Sequence, residues 1–93
     1  MVKLDTGEVV QSEAILNEPE DFKKEIEEIL NRFTLYDFKE LPEADRGLNE
    51  VNRKAGTGII YCYYMTTRGK VLIYLDQKKK KTKIQFLKEK LTE

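Results

Sequence analysis

The chain reads as an α+β domain, and three observations carry that reading. A helical apolar stripe lies in residues 20–33, period-two runs rich in β-branched and aromatic residues lie between 59 and 75, and the two patterns are segregated along the chain rather than alternating. At 93 residues there is room for one core only, so residues 1–93 are expected to form a single domain. A 40% hydrophobic content with five tyrosines and four phenylalanines is enough to build it.

The elements follow in order. Residues 2–10, VKLDTGEVV, hold two short apolar-flanked runs around Thr6-Gly7 and read as one frayed strand or a small hairpin. In NEPEDFKKEIEEILNRF, Asn17 and Glu20 have the spacing of a capping box, with Pro19 in the first turn. Phe22, Ile26, Ile29, Leu30 and Phe33 then recur on one side of an amphipathic helix. Residues 34–46 form a connector whose Leu35, Tyr36, Phe38 and Leu41 are expected to pack beneath it, and Pro42 bars any helix from running through. LNEVN, residues 48–52, reads as a short strand. The glycines of AGTG, residues 55–58, lack the Lys-Ser/Thr ending of a nucleotide loop and suit a turn or bulge. IIYCYYMT, residues 59–66, is expected to be a central strand because both of its faces are largely apolar; VLIYL, residues 71–75, follows a hairpin turn in which Gly69 supplies positive φ. Thr82 is expected to cap a short helix, KIQFLKEKL, with Ile84, Leu87 and Leu91 on one side. The predicted order is an N-terminal strand or hairpin, an amphipathic helix, an antiparallel β-meander and a short C-terminal helix.

Composition narrows the function. No apolar run approaches the roughly 18–20 residues that span a bilayer, and the N-terminus lacks the pattern of a signal peptide. Cys62 is the sole cysteine and is expected to be a reduced, buried side chain, so a cytoplasmic protein is the expectation. The absence of histidine removes the commonest general base and metal ligand; no metal site and no cofactor are expected. A net charge of zero hides a division: residues 1–50 hold six Lys/Arg and fourteen Asp/Glu, residues 51–93 eleven Lys/Arg and three Asp/Glu. The basic half points to a polyanion such as RNA; pairing between the halves, or between copies as a homodimer, is the other account of the same charges.

Lys78, Lys79, Lys80, Lys81 and Lys83 are the sharpest charge feature. They suit either a phosphate-binding ridge or a solvated edge that blocks strand-to-strand association. Tyr61, Tyr63, Tyr64 and Tyr74 suit base stacking or, more ordinarily, half-buried core positions. Glu50 is expected to pair with Arg53 or Lys54, and Asp76 to pair within the lysine run.

Gly47, Leu48, Glu50 and Val51, then Lys54, Gly56, Gly58 and Ile59, then Tyr63 and Tyr64, the Gly69-Lys70 hairpin, the strand Val71–Leu75 and the tail Lys80, Lys81, Thr82 and Lys83 fall in an order that resembles the RelE/HigB-like toxins (RelE/ParE superfamily) of bacterial toxin–antitoxin pairs. The resemblance spans about residues 19–90. It implies a RelE-like α+β domain acting on mRNA at the ribosome, by attack of the ribose 2′-OH on the adjacent phosphate without a metal. RNA or the ribosome and a cognate antitoxin are the partners it implies. Carried over residue by residue, it assigns Lys54, Tyr61, Lys80 and Lys81 to catalysis, and Arg53, Tyr64, Arg68, Lys78, Lys79 and Lys83 to RNA binding. The chain departs from the pattern where arginines are expected, at Asn52 and Tyr61, and where Gln77 and Lys78 replace Gly-Phe. Asp76 stands near a position where a histidine can occur. A neutral tyrosine cannot substitute for bidentate phosphate binding by arginine, so the nuclease is expected to be impaired. The alternative is a non-enzymatic, protein-binding inhibitor or regulator built on the same fold.

Overall fold

The structure is a computed structural model and describes residues 2–89. Strand β1 (Glu8–Gln11) leads through a single helical turn, α1 (Glu13–Leu16), to helix α2 (Glu20–Thr34). Helix α3 (Glu43–Ala55) follows, and then strands β2 (Ile59–Thr66), β3 (Gly69–Asp76) and β4 (Lys81–Phe86). The four strands form one mixed sheet in the order β1-β4-β3-β2: β2–β3 and β3–β4 are antiparallel, and β1 lies parallel to β4. The α+β class expected from the patterning is what the chain adopts.

Pleating decides the core. One face of the sheet presents three rows, Ile60–Leu75–Thr82, Cys62–Ile73–Ile84 and Tyr64–Val71–Phe86, every member of which is buried. Against it α2 lays Phe22, Ile26, Ile29 and Phe33, with Leu30 partly buried, as the stripe predicts. Phe22 stacks on Phe86 with centroids 5.7 Å apart. Leu41, Tyr36 and Phe38 of the connector close one end of this core, whereas Leu35 is exposed.

Four local expectations are overturned. Asn17 does not open α2; it closes α1, and Pro19 occupies the position before the first turn, where its fixed φ and missing N–H suit a helix start. LNEVN is not a strand but the middle of α3. Pro42 precedes that helix instead of barring it, Glu43 and Asp45 lie at its positive end, Arg53 and Lys54 at its negative end, and Gly56, at φ 72°, ends it in the left-handed conformation. Leu48 and Val51, three apart, mark one side of a helix. KIQF is strand β4 rather than a helix: Thr82, Ile84 and Phe86 alternate inward, and the Thr82 hydroxyl donates to the Thr6 carbonyl at 2.7 Å instead of capping. Leu87 is exposed, and Leu91 lies outside the described residues. Finally, β2 is an edge strand, because β1 enters beside β4 and moves the centre of the sheet to β3 and β4. That entry demands Gly7: it sits at φ 59°, and a Cβ there would lie 2.0 Å from the Lys80 carbonyl oxygen.

The β2 edge is closed by α3. The Asn49 side-chain amide donates to the Tyr61 carbonyl at 2.7 Å and accepts from the Tyr61 N–H at 3.2 Å, taking the place of a neighbouring strand residue. Asn52 donates likewise to the Ile59 carbonyl at 3.0 Å. Asn49 is 2% exposed, the one buried residue of α3. Asn49→Ala removes both partners of a half-buried peptide unit and uncovers a strand edge, so stability should fall by about 1–3 kcal/mol and association should rise. Chemical denaturation paired with light scattering checks both effects.

Candidate nucleic-acid interface

The turn joining β3 to β4 carries the lysine run and is held against the end of α3. The Gln77 side-chain amide donates to the carbonyls of Asn52 (2.9 Å) and Thr57 (2.7 Å), and its backbone N–H donates to the Gly58 carbonyl at 3.1 Å. Within the turn the Lys79 N–H donates to the Asp76 carboxylate at 3.1 Å, and Lys80 takes a positive φ of 53°. Asp76 therefore orders the turn through a backbone hydrogen bond. Lys78, Lys79, Lys80 and Lys81 are exposed, and so is Lys54 in the last turn of α3. The fold thus brings Lys54, Arg53 and Lys78–Lys81 to one end of the sheet, although about 25 residues of sequence separate the two groups.

The second face of the sheet continues from that end. Its outermost row is Glu8–Lys81–Asp76–Ile59, and the next is Val10–Lys83–Tyr74–Tyr61. Tyr61, Tyr74 and Lys83 are half-buried there, and Tyr63 and Leu72 lie one row further in. A basic turn beside a row of aromatic rings has the composition of a single-strand binding surface: cations for the backbone and rings for the bases.

Several predicted site residues are placed elsewhere. Tyr64 is fully buried on the core face, and its hydroxyl donates to the Asp37 carbonyl at 3.0 Å, so it cannot stack on a base. Arg68 stands in the β2–β3 turn at the opposite end of the strands, roughly 25 Å away for eight-residue strands, 3.6 Å from the Glu18 carboxylate. That turn is pinned to α2, where the Glu25 carboxylate accepts from both the N–H and the hydroxyl of Thr67. Arg53 is engaged by Glu50 and lies 5.6 Å from the centre of the Tyr36 ring, while Lys54 reaches the same carboxylate at 3.8 Å. Lys81 is 3.6 Å from Glu8. The pairing expected for Glu50 is present.

Electrostatics separate binding from scission. Desolvation, with a smaller contribution from a hydrogen bond to Asp45, pushes the Tyr61 hydroxyl above its ordinary range, so it holds its proton and is a poor base. Glu50 is held below the ordinary carboxylate range chiefly by its hydrogen bond from Arg53, leaving a charge already committed to a partner. Burial raises the Cys62 thiol to about 11, which makes it unreactive. Tyr61, Glu50 and Cys62 are therefore not poised to take the 2′-OH proton.

Sequence reasoning missed the roles of Asn49, Asn52 and Gln77, whose side chains align α3 with the sheet. The detectable signal was a polar residue inside a stretch otherwise read as strand; which backbone it would meet depended on where α3 packs. Among the described residues no helix is long and apolar enough to cross a membrane. No protein-family model matches the chain, and comparison with curated proteins and with solved structures gives no match.

A further ionic cluster, centred on Arg32, packs against the core tyrosine Tyr64. Arg32 donates to Asp37 (2.7 Å) and Glu40 (2.6 Å) and sits 4.8 Å from the centre of the Tyr64 ring. The hydrogen bond from Arg32 holds the Asp37 carboxyl below its ordinary value of 3.8. A depressed folded-state value means that the stabilisation is complete above the unfolded value and is lost as pH falls through the folded one. The melting temperature should therefore drop as pH falls below about 4, and Asp37→Asn should flatten that part of the profile while lowering stability at neutral pH. Thermal melts across an acid titration of both proteins check this.

Proposed function

We propose that the chain is an RNA-binding protein of the RelE/HigB-like toxin type that acts on mRNA at the ribosome by occupancy, with its nuclease activity impaired. The observation that carries this reading is the convergence of the Lys78–Lys81 turn with the last turn of α3 beside the Tyr61–Tyr74 row. Phosphates would be met by Lys78, Lys79, Lys80 and Lys54, and by Arg53 and Lys81 once they exchange their carboxylate partners. Bases would be met by the rims of Tyr61 and Tyr74.

The impairment follows from the chemistry of the site. The position where the family pattern has an arginine at the start of the aromatic strand holds Tyr61, whose hydroxyl burial keeps protonated. Asn52, at the other such position, spends its amide on the Ile59 carbonyl. Neither supplies the positive charge with which an arginine would meet a phosphorane. The same features, together with the pairing of Arg53 and Lys81, favour the second reading, a non-enzymatic regulator that binds protein.

Fluorescence anisotropy with a mixed-sequence single-stranded RNA tests the binding. Affinity should fall steeply with salt, and Lys78→Gln with Lys79→Gln and Lys80→Gln should weaken it at least tenfold. The same triple substitution should reduce the salt slope by roughly 2, since each phosphate neutralised on a single strand adds about 0.7 to it. Mapping mRNA 5′ ends on translating ribosomes should show no new ends at stoichiometric protein. An absence of RNA binding at low salt, with a salt-tolerant protein complex in its place, would reject this reading for the regulator; abundant new 5′ ends would reject the impairment.

A further inference from the structure

Helix α3 carries an apolar stripe that is exposed among the described residues. Its sheet-facing side holds Asn49 and Asn52. Ala44, Leu48, Val51 and Ala55 follow one another at helical spacing on a different side, about 100–160° around the axis from Asn49. All four are exposed; Leu48 is 52% and Val51 62% exposed, large fractions for branched aliphatic side chains in a domain of this size. The flank of Glu50 and Arg53, turned towards Tyr36, lies on the opposite side of the helix from Leu48. Gly47 adjoins the stripe, and a Cβ built there meets nothing within 4 Å, so a second helix axis can come close.

The charges beside the stripe are self-complementary. Glu43 and Lys54 lie about three turns apart and therefore on nearly the same side of the helix, bordering one rim of the stripe. Both are exposed. In an antiparallel pair of identical helices related by a two-fold axis, the same rim of each copy faces the other. Leu48 then meets Val51 of the second copy and Ala44 meets its Ala55, and Glu43 comes within two residues, about 3 Å along the axis, of the level of the second copy's Lys54. In a parallel pair the two-fold would run along the helices and put the two copies of this rim on opposite sides of the contact, so Glu43 and Lys54 would not meet. Asn49 and Asn52 also occupy the Ile59–Tyr61 part of the β2 edge, where an added strand would otherwise pair.

We propose that α3 is a homodimer interface, in which two copies of the chain pack their Ala44–Leu48–Val51–Ala55 stripes antiparallel across a two-fold axis. A contact made by one helix about 20 Å long belongs to the small interfaces, so the dimer is in concentration-dependent exchange with monomer in the micromolar range. This inference is independent of the RNA reading, and its test contains no RNA.

Sedimentation velocity on the full chain from about 1 µM to about 1 mM should show monomer passing into dimer. Leu48→Glu places a charge at the centre of the contact and should raise the dissociation constant at least about 100-fold, with an unchanged circular dichroism spectrum because Leu48 is exposed in the monomer. Glu43→Lys should weaken the dimer about two- to fivefold, and the added Lys54→Glu should restore it. In a mixture of Ala44→Cys and Ala55→Cys chains a short bismaleimide should link unlike chains. Either chain alone should remain unlinked, since its two introduced cysteines would stand about 16 Å apart along the paired axes. Cys62, fully buried, stays out of the reaction. A chain that is monomeric throughout, a dimer indifferent to Leu48→Glu, failure of the charge exchange to restore it, or linkage between like chains would each overturn the proposal.

Discussion

The paired hydrogen bonds between the Asn49 amide and the Tyr61 peptide are the constraint on which the arrangement of this molecule depends. A strand edge presents donors and acceptors that must be satisfied, by water or by another chain, unless the fold supplies partners. Here a helix does so with two asparagines one turn apart. Once α3 is aligned in this way, its C-terminal turn must lie beside Gln77, and Gln77 then holds the β3–β4 turn in place. The same alignment turns the Leu48–Val51 side of α3 away from the sheet. Two surface features of the protein, its basic end and its bare apolar stripe, thus follow from one polar contact.

Charge along the chain and charge in space are different distributions in this protein. The basic C-terminal half does not form a single wall. The Lys78–Lys81 turn stands at one end of the strands, whereas Arg68 and Lys70 stand at the other, where Arg68 meets Glu18 of the acidic half. The antiparallel path imposes this division, because successive turns of a meander lie at opposite ends. What survives of the polyanion argument is local: a turn of lysines, the end of α3, and the aromatic row beside them. Its weight rests on exposed ammonium groups, which suit reversible contact with phosphate and carry little cost in desolvation.

Contact with phosphate and cleavage beside it make different demands on a surface. Cleavage through the 2′-OH needs a proton acceptor and a cation fixed on the phosphate. The Tyr61 hydroxyl is pushed towards its protonated form, and the Glu50 carboxylate is already engaged by Arg53. Tyr64, the ring with the most burial, belongs to the core through Arg32 and the Asp37 carbonyl. These side chains stabilise the fold in positions where catalysis would require them to be available.

The α2 stripe, the strand at 59–66 with its two alternating faces, the strand Val71–Leu75 and the Gly69 hairpin were legible from residue order alone. Each is encoded by a local period or by one backbone preference. The lysine run and the exposed Lys54 could be named as candidates for the same reason. Residues 48–52 and 83–86 were misread because short segments satisfy two periods at once; burial of Thr82, Ile84 and Phe86 against α2, and the Pro42 and Gly56 boundaries of α3, chose between them. Which strand is central, which tyrosine is sealed and which cations share an end were decided by tertiary structure. All three depend on β1 entering beside β4 and on α3 closing the β2 edge, contacts between residues far apart in the chain that no local pattern records.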